Sequence, residues 1–168
     1  AEAAERAAFW EEPAAHRLFP QGQGLLALFT GPPGTGKTMA AQVIAADPVP
    51  AALEQFVTQT PGARRAINNR ALAEQSEIIA LAVKPQQMRE ACASLQQYLK
   101  QQLVISIAAG LRLADLSRWL GGHDKLVRAM PNTPALIGSG VTGLFALASV
   151  SEAERLGAER ILKAVGST

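Results

Sequence analysis

The sequence predicts an α/β domain: a three-layer arrangement in which a mostly parallel sheet lies between helices. Three observations carry this. Short apolar runs alternate with amphipathic segments, so that residues 77–83, 103–107 and 125–129 read as strands and 86–99, 113–120 and 151–165 as helices. The strand-like runs are apolar on successive residues, the pattern of strands buried on both faces. A chain of 168 residues, 48% hydrophobic and 18% charged, is long enough for one domain with a real core.

Composition removes several function classes. No apolar run approaches the roughly 20 residues of a membrane span. The N-terminus lacks the basic start and apolar core of a signal peptide. A net charge of +2 is too small to argue for nucleic acid, and Arg64, Arg65 and Arg70 read as a solvated face. The one cysteine, Cys92, excludes an internal disulfide, suits a reducing cytosol, and reads as a buried, inert thiol within a helical pattern. His16 and His123 lie far apart without acidic or cysteine partners at ligand spacing, so no metal site is expected from protein ligands alone.

In order, residues 1–12 are alanine-rich with Glu and Arg and read as an exposed helix, stopped by Pro13. Phe9, Trp10, Leu18 and Phe19 are the residues that would dock this arm. Residues 20–24 read as a loop, 25–30 as a buried strand near the sheet centre, and 39–46 as a helix. Asp47-Pro48-Val49-Pro50 follows directly, then a second helix over 51–59. An alternating fold wants a strand between those helices. The reading prefers helix over Val43 to Ala46, so one strand is expected to be missing or displaced. Residues 63–67 read as a weak strand, and Asn68 or Asn69 as the cap of a short helix to Gln75. The helix over 86–99 places Met88, Ala91, Cys92, Leu95 and Leu99 on one face. Gly121 and Gly122 end the helix over 113–120. Residues 130–134 read as a rigid loop and 141–145 as a last strand. Ser151 with Glu154 makes a capping box for the final helix.

One motif carries chemistry on its own. Gly31, Pro32, Pro33, Gly34, Thr35, Gly36, Lys37 and Thr38 fit G-x-x-x-x-G-K-[ST], the phosphate-binding P-loop, between a strand and a helix. Backbone N–H groups and a helix start around one small volume suit a phosphate chain. Lys37 would reach the β- and γ-phosphates, and the Thr38 hydroxyl would ligate Mg²⁺. The bland alternative is an ordinary glycine-rich turn.

Residues 1–46 resemble the start of an AAA+ ATPase module: strand, P-loop and following helix. From 47 to 168 the resemblance changes. Leu81-Ala82-Val83-Lys84-Pro85, Val104-Ile105-Ser106-Ile107-Ala108-Ala109-Gly110 and Val127-Arg128-Ala129-Met130-Pro131-Asn132-Thr133-Pro134-Ala135 occur in order. They resemble the dinucleotide-binding (Rossmann) domain of pyrroline-5-carboxylate reductases. That resemblance implies a cofactor cleft lined by Val83, Lys84, Pro85, Ala108, Ala109, Asn132 and Thr133. The chain lacks that family's glycine fingerprint, G-x-G-x-x-G/A, and the P-loop stands in its place. It stops near Gly166, where the reductase would continue into a helical dimerisation domain. The chain is therefore expected to be an artificial chimera, a P-loop/Rossmann-like hybrid joined at Asp47-Pro48 and folded as a single domain over 1–168.

Three functional readings follow. The first expects a binder of ATP or ADP with Mg²⁺, or of phosphate or sulfate, with little or no turnover. Its low turnover follows from the lack of an acidic residue where the 77–83 strand ends, Glu77 being at the wrong end. Arg128 and Asn132 lie near a strand end, and read equally as site residues or as a loop anchor and a turn former. The second expects an NADP(H)-binding remnant of the reductase. The third expects a structural combination of fold fragments with no ligand. Partners are limited to a small-molecule nucleotide, with no nucleic acid and no membrane. Self-association is expected through surface exposed by the missing dimer domain.

Overall fold

A strand with six consecutive apolar residues belongs where both sheet faces are covered, and β4 (Ile78–Val83) takes that place with every residue buried. The computed structural model describes residues 23–28, 43–60 and 62–168. The preceding strands are β1 (Gln23–Leu28), β2 (Val43–Ala46) and β3 (Arg64–Arg65); those that follow are β5 (Leu103–Ser106), β6 (Leu126–Pro131), β7 (Gly140–Ala146) and β8 (Gly166–Ser167). The eight strands lie in the order β3-β2-β1-β4-β5-β6-β7-β8.

The pleat sends alternate side chains to opposite layers. Ile79, Leu81 and Val83 point with Val104 and Leu126 into one core. Helices α2 (Asn69–Glu74), α3 (Met88–Leu95) and α4 (Leu113–Trp119) close it with Leu72, Met88, Cys92, Leu95 and Leu116. Ile78, Ala80, Ile105, Val127 and Ala129 point the other way, against Phe56 of α1 (Pro50–Gln59) and Ala158, Ile161 and Leu162 of α5 (Glu152–Leu162). This is the expected three-layer α/β domain.

Several local expectations hold for the expected physical reason. The Asn68 side chain accepts the Ala71 N–H at 2.8 Å and starts α2. Ser151 and Glu154 form the reciprocal capping box of α5. The segment over 86–99 keeps its buried face but not its uniformity. Three-ten turns at Pro85–Gln87 and Gln96–Tyr98 flank the α-helical Met88–Leu95. The strand expected at 125–129 runs on to Pro131. Thus Met130 and Pro131, expected in a rigid loop, pair with Gly143 and Thr142 of β7.

Two expectations fail. Val43 to Ala46 is strand, not helix, with all four residues buried and paired to β1. No strand is therefore missing before Asp47: β-branched Val43 and Ile44 suit a buried strand, and tertiary pairing overrides the helical reading of this alanine-rich stretch. The strand before the P-loop is central, as expected, but reversed. β1 is antiparallel to both neighbours, pairing Gln23 with Val83 and Leu28 with Ile78. Gln23 and Gly24, expected in a loop, belong to it. Leu28, the last described residue before the P-loop, thus sits at the amino edge of β4, where the expectation had the carboxyl edge. The arm over 1–19, the P-loop residues Gly31 to Thr38, and residues 39–42 lie outside the described residues.

Candidate functional site

β4, β5 and β6 are parallel, so their carboxyl ends share one edge of the sheet. Leu81 is level with Ser106, and Ser106 with Arg128. The turns that begin at Lys84, Ile107 and Asn132 leave the sheet from this shared edge, on strands about 5 Å apart. The resemblance-derived cleft residues are brought together here.

Each turn is built for exposure of backbone. Pro85 breaks β4 and opens a three-ten turn, in which the Gln87 N–H donates to the Lys84 carbonyl at 2.9 Å. Val83 is buried, while Lys84 and Pro85 are exposed. After β5, Ala108 is buried and Ala109 exposed, and Gly110 turns the chain with φ +76°. A Cβ added at Gly110 would meet no atom within 4 Å, so the floor of this turn is open to a ligand. After β6, the Asn132 Oδ1 accepts the Val141 N–H at 2.9 Å and ties β6 to the start of β7. This bond occupies Oδ1, so any ligand contact of the Asn132 amide falls to Nδ2. Thr133, exposed, opens the three-ten turn Thr133–Ile137. Arg128 lies within β6, paired in register with Ser106 and Phe145, rather than at its end.

Two residues of this edge were not singled out from sequence. Ser106 is buried, and its Oγ accepts the Ala108 N–H at 3.4 Å, supporting the alanine turn. A serine ending an otherwise apolar run is the signal that marks it. Asp47 ends β2, which runs in the same direction as β4 because both oppose β1. Its Oδ1 accepts the Val49 N–H at 2.7 Å and opens α1. Burial pushes its carboxyl above the usual range, with the Val49 N–H acting against that. Asp47 was missed as an edge residue because its strand was read as helix.

Cys92 is buried in the α3 face, and burial pushes its thiol up to about 12, as an inert core thiol requires. Arg65 is ion-paired with Glu54 and Arg70 with Glu74 on the surface, at 2.8 Å for the latter. Among the described residues no three metal-ligating side chains cluster. No helix among them is long and apolar enough to cross a membrane.

Strand order reverses between β1 and β4, and parallel strand ends with small turn residues flank that point. This is the architecture of a dinucleotide-binding α/β domain. The chain belongs to the family described as "NADP oxidoreductase coenzyme F420-dependent", which it matches over residues 21–110. It is 48% identical over 92 residues to the pyrroline-5-carboxylate reductase of Pseudomonas aeruginosa, covering 54% of this chain and 34% of that protein. The solved pyrroline-5-carboxylate reductase of Coxiella burnetii superposes with a TM-score of 0.65 at 38% identity, covering 70% of this chain and 44% of that one. The pyrroline carboxylate reductase of Plasmodium falciparum, solved with NADP bound, gives a TM-score of 0.59 at 30% identity, over 63% and 40%. The chain spans about a quarter to a half of the length of the curated relatives it matches.

These likenesses correct the first functional reading. Relatives that are reductases, and a family defined by NADP, favour NADP(H) over ATP with Mg²⁺. The family match spans residues 21–110, on both sides of Asp47, which speaks against a splice there. The AAA+ resemblance of residues 1–46 is not carried by any of them.

Proposed function

We propose that these 168 residues act as one α/β unit, the dinucleotide-binding part of a pyrroline-5-carboxylate reductase. The observation that carries this is the open edge formed by Val83, Lys84, Pro85, Ala108, Ala109, Asn132 and Thr133, at the strand-order reversal of a chain whose relatives are such reductases. The residues present fit an NADP(H) molecule: the alanine turn and Gly110 leave the backbone approachable, and the exposed Lys84 supplies positive charge for phosphate oxygens. The cofactor, when bound, supplies the hydride that reduces a carbon–nitrogen double bond. The chain's own part is to hold and orient. Ser106 keeps the alanine turn in place, Asn132 keeps the β6–β7 connection in place, and Thr133 offers a hydroxyl. A cytosolic location follows the same reading.

The test is a fluorescence titration of NADPH on the full chain, with MgATP run in parallel. NADPH is expected to bind, MgATP to give no saturable signal, and Ala109→Glu to weaken NADPH at least about tenfold by like-charge repulsion with its phosphates. Absence of NADPH binding, or its indifference to Ala109→Glu, would overturn the reading.

A further inference from the structure

We propose that Asp47 sets the choice between the two nicotinamide dinucleotides at this edge, accepting a hydroxyl of the adenosine ribose and disfavouring a 2′-phosphate there. The proposal rests on the dinucleotide reading above and narrows it: NADP(H) binds, but NAD(H) binds more tightly.

Register places Asp47 at the cleft. Leu25 of β1 pairs with Ala46 on one side and with Leu81 on the other, so the ends of β2 and β4 are level. Leu81 is in turn level with Ser106. Asp47 follows Ala46 and therefore stands on the same sheet edge as the turns after β4 and β5. It lies two strands, about 10 Å, to one side of β4. In a doubly wound sheet an acidic residue at this place meets the ribose of the adenosine half.

The local chemistry suits a hydroxyl. Asp47 is half-buried, and its Oδ1 accepts the Val49 N–H at 2.7 Å. That bond fixes the direction of the side chain and leaves Oδ2 as the acceptor for a ribose hydroxyl.

The same turn is unsuited to a 2′-phosphate. An NADP site of this architecture places an arginine nearby. Here the turn reads Asp47-Pro48-Val49-Pro50 and carries no cation. Pro48 and Pro50 have no N–H to offer, and the Val49 N–H is spent on Asp47. The neighbouring strand carries Arg64 and Arg65, but these pair level with Ile44 and Ala45, behind the edge. Arg65 is ion-paired with Glu54 of α1. A 2′-phosphate would therefore meet the Asp47 carboxylate with no cation in the turn to offset the repulsion. The family's description names NADP, and this turn departs from what NADP requires.

The experiment is a fluorescence titration of the full chain with NADH and with NADPH at one ionic strength. NADH is expected to bind at least about tenfold more tightly. Asp47→Asn keeps an acceptor for the Val49 N–H and removes the charge. It is expected to tighten NADPH, to weaken NADH, and to shrink the preference at least about fivefold. Asp47→Ser, which also retains an acceptor, is expected to act in the same direction. If Asp47 served only to open α1, both nucleotides would weaken together and their ratio would stay. A smaller preference in the unaltered chain, or one that both variants keep, overturns the inference and leaves the dinucleotide reading intact. If neither nucleotide binds the unaltered chain, the dinucleotide reading itself has failed, and this inference with it.

Discussion

Removing Glu154 tests how the layer behind the site is held. The Glu154 Oε1 lies 2.5 Å from the Lys125 Nζ at the start of β6. Its Oε2 accepts the Ser151 N–H and the Ser151 hydroxyl, each at 2.8 Å. One carboxylate thus caps α5 and pins that helix to the strand that carries Arg128. Glu154→Ala loses part of a cap, about 1 kcal/mol, and a partly buried ion pair, about 1 kcal/mol. For a chain of this size a total of about 2 kcal/mol corresponds to a melting point lower by about 4–8 °C. The pH dependence has a definite sign. Burial raises the Glu154 pKa, but the hydrogen bonds from Lys125 and Ser151 outweigh it and leave the pKa below the ordinary value. A group depressed in the folded state stabilises above its unfolded pKa, and that stabilisation is lost as pH falls through the folded value. Urea melts of both proteins at about pH 7 and about pH 3 would therefore show the gap between them closing in acid. A gap under about 0.5 kcal/mol at neutral pH, or one that stays constant into acid, would refute this account.

Three further outcomes are expected. Leu81→Ala opens a cavity at a fully buried position of the central strand and is expected to cost about 2–5 kcal/mol in urea unfolding. Gly140→Ala places a Cβ 2.7 Å from the Ala135 Cα and 2.8 Å from the Val165 carbonyl oxygen, and is expected to cost about 1–3 kcal/mol by the same measurement. Cys92, buried and with its thiol pushed up to about 12, is expected to resist an aromatic disulfide reagent at neutral pH and to react on unfolding; rapid reaction in the native state would contradict its burial.

Much of the fold was legible because its signals are local. The apolar run that becomes β4, the Asn68 cap and the Ser151–Glu154 box each satisfy nearby backbone or bury both faces of a short segment, so few residues decide them. The cleft turns were legible by resemblance, and the structure brings their strand ends to one edge. Val43 to Ala46 was not legible. Alanines and β-branched residues together suit helix or strand, and the decision came from a partner strand fifteen or more residues away in the chain. That one misreading also hid Asp47 and removed a strand that the fold in fact has.

By itself, then, the sequence determined the α/β class, the alternation of strands and helices and the helix caps, because composition and periodicity act over a few residues. The tertiary structure alone decided the direction of β1, the strand at Val43–Ala46, the bond from Val141 to the Asn132 side chain and the lack of a hydrogen-bond partner at the Arg128 Nε. Pairing and enclosure are set by segments far apart in the chain. Whether a charged side chain finds a partner depends on what the whole fold places beside it.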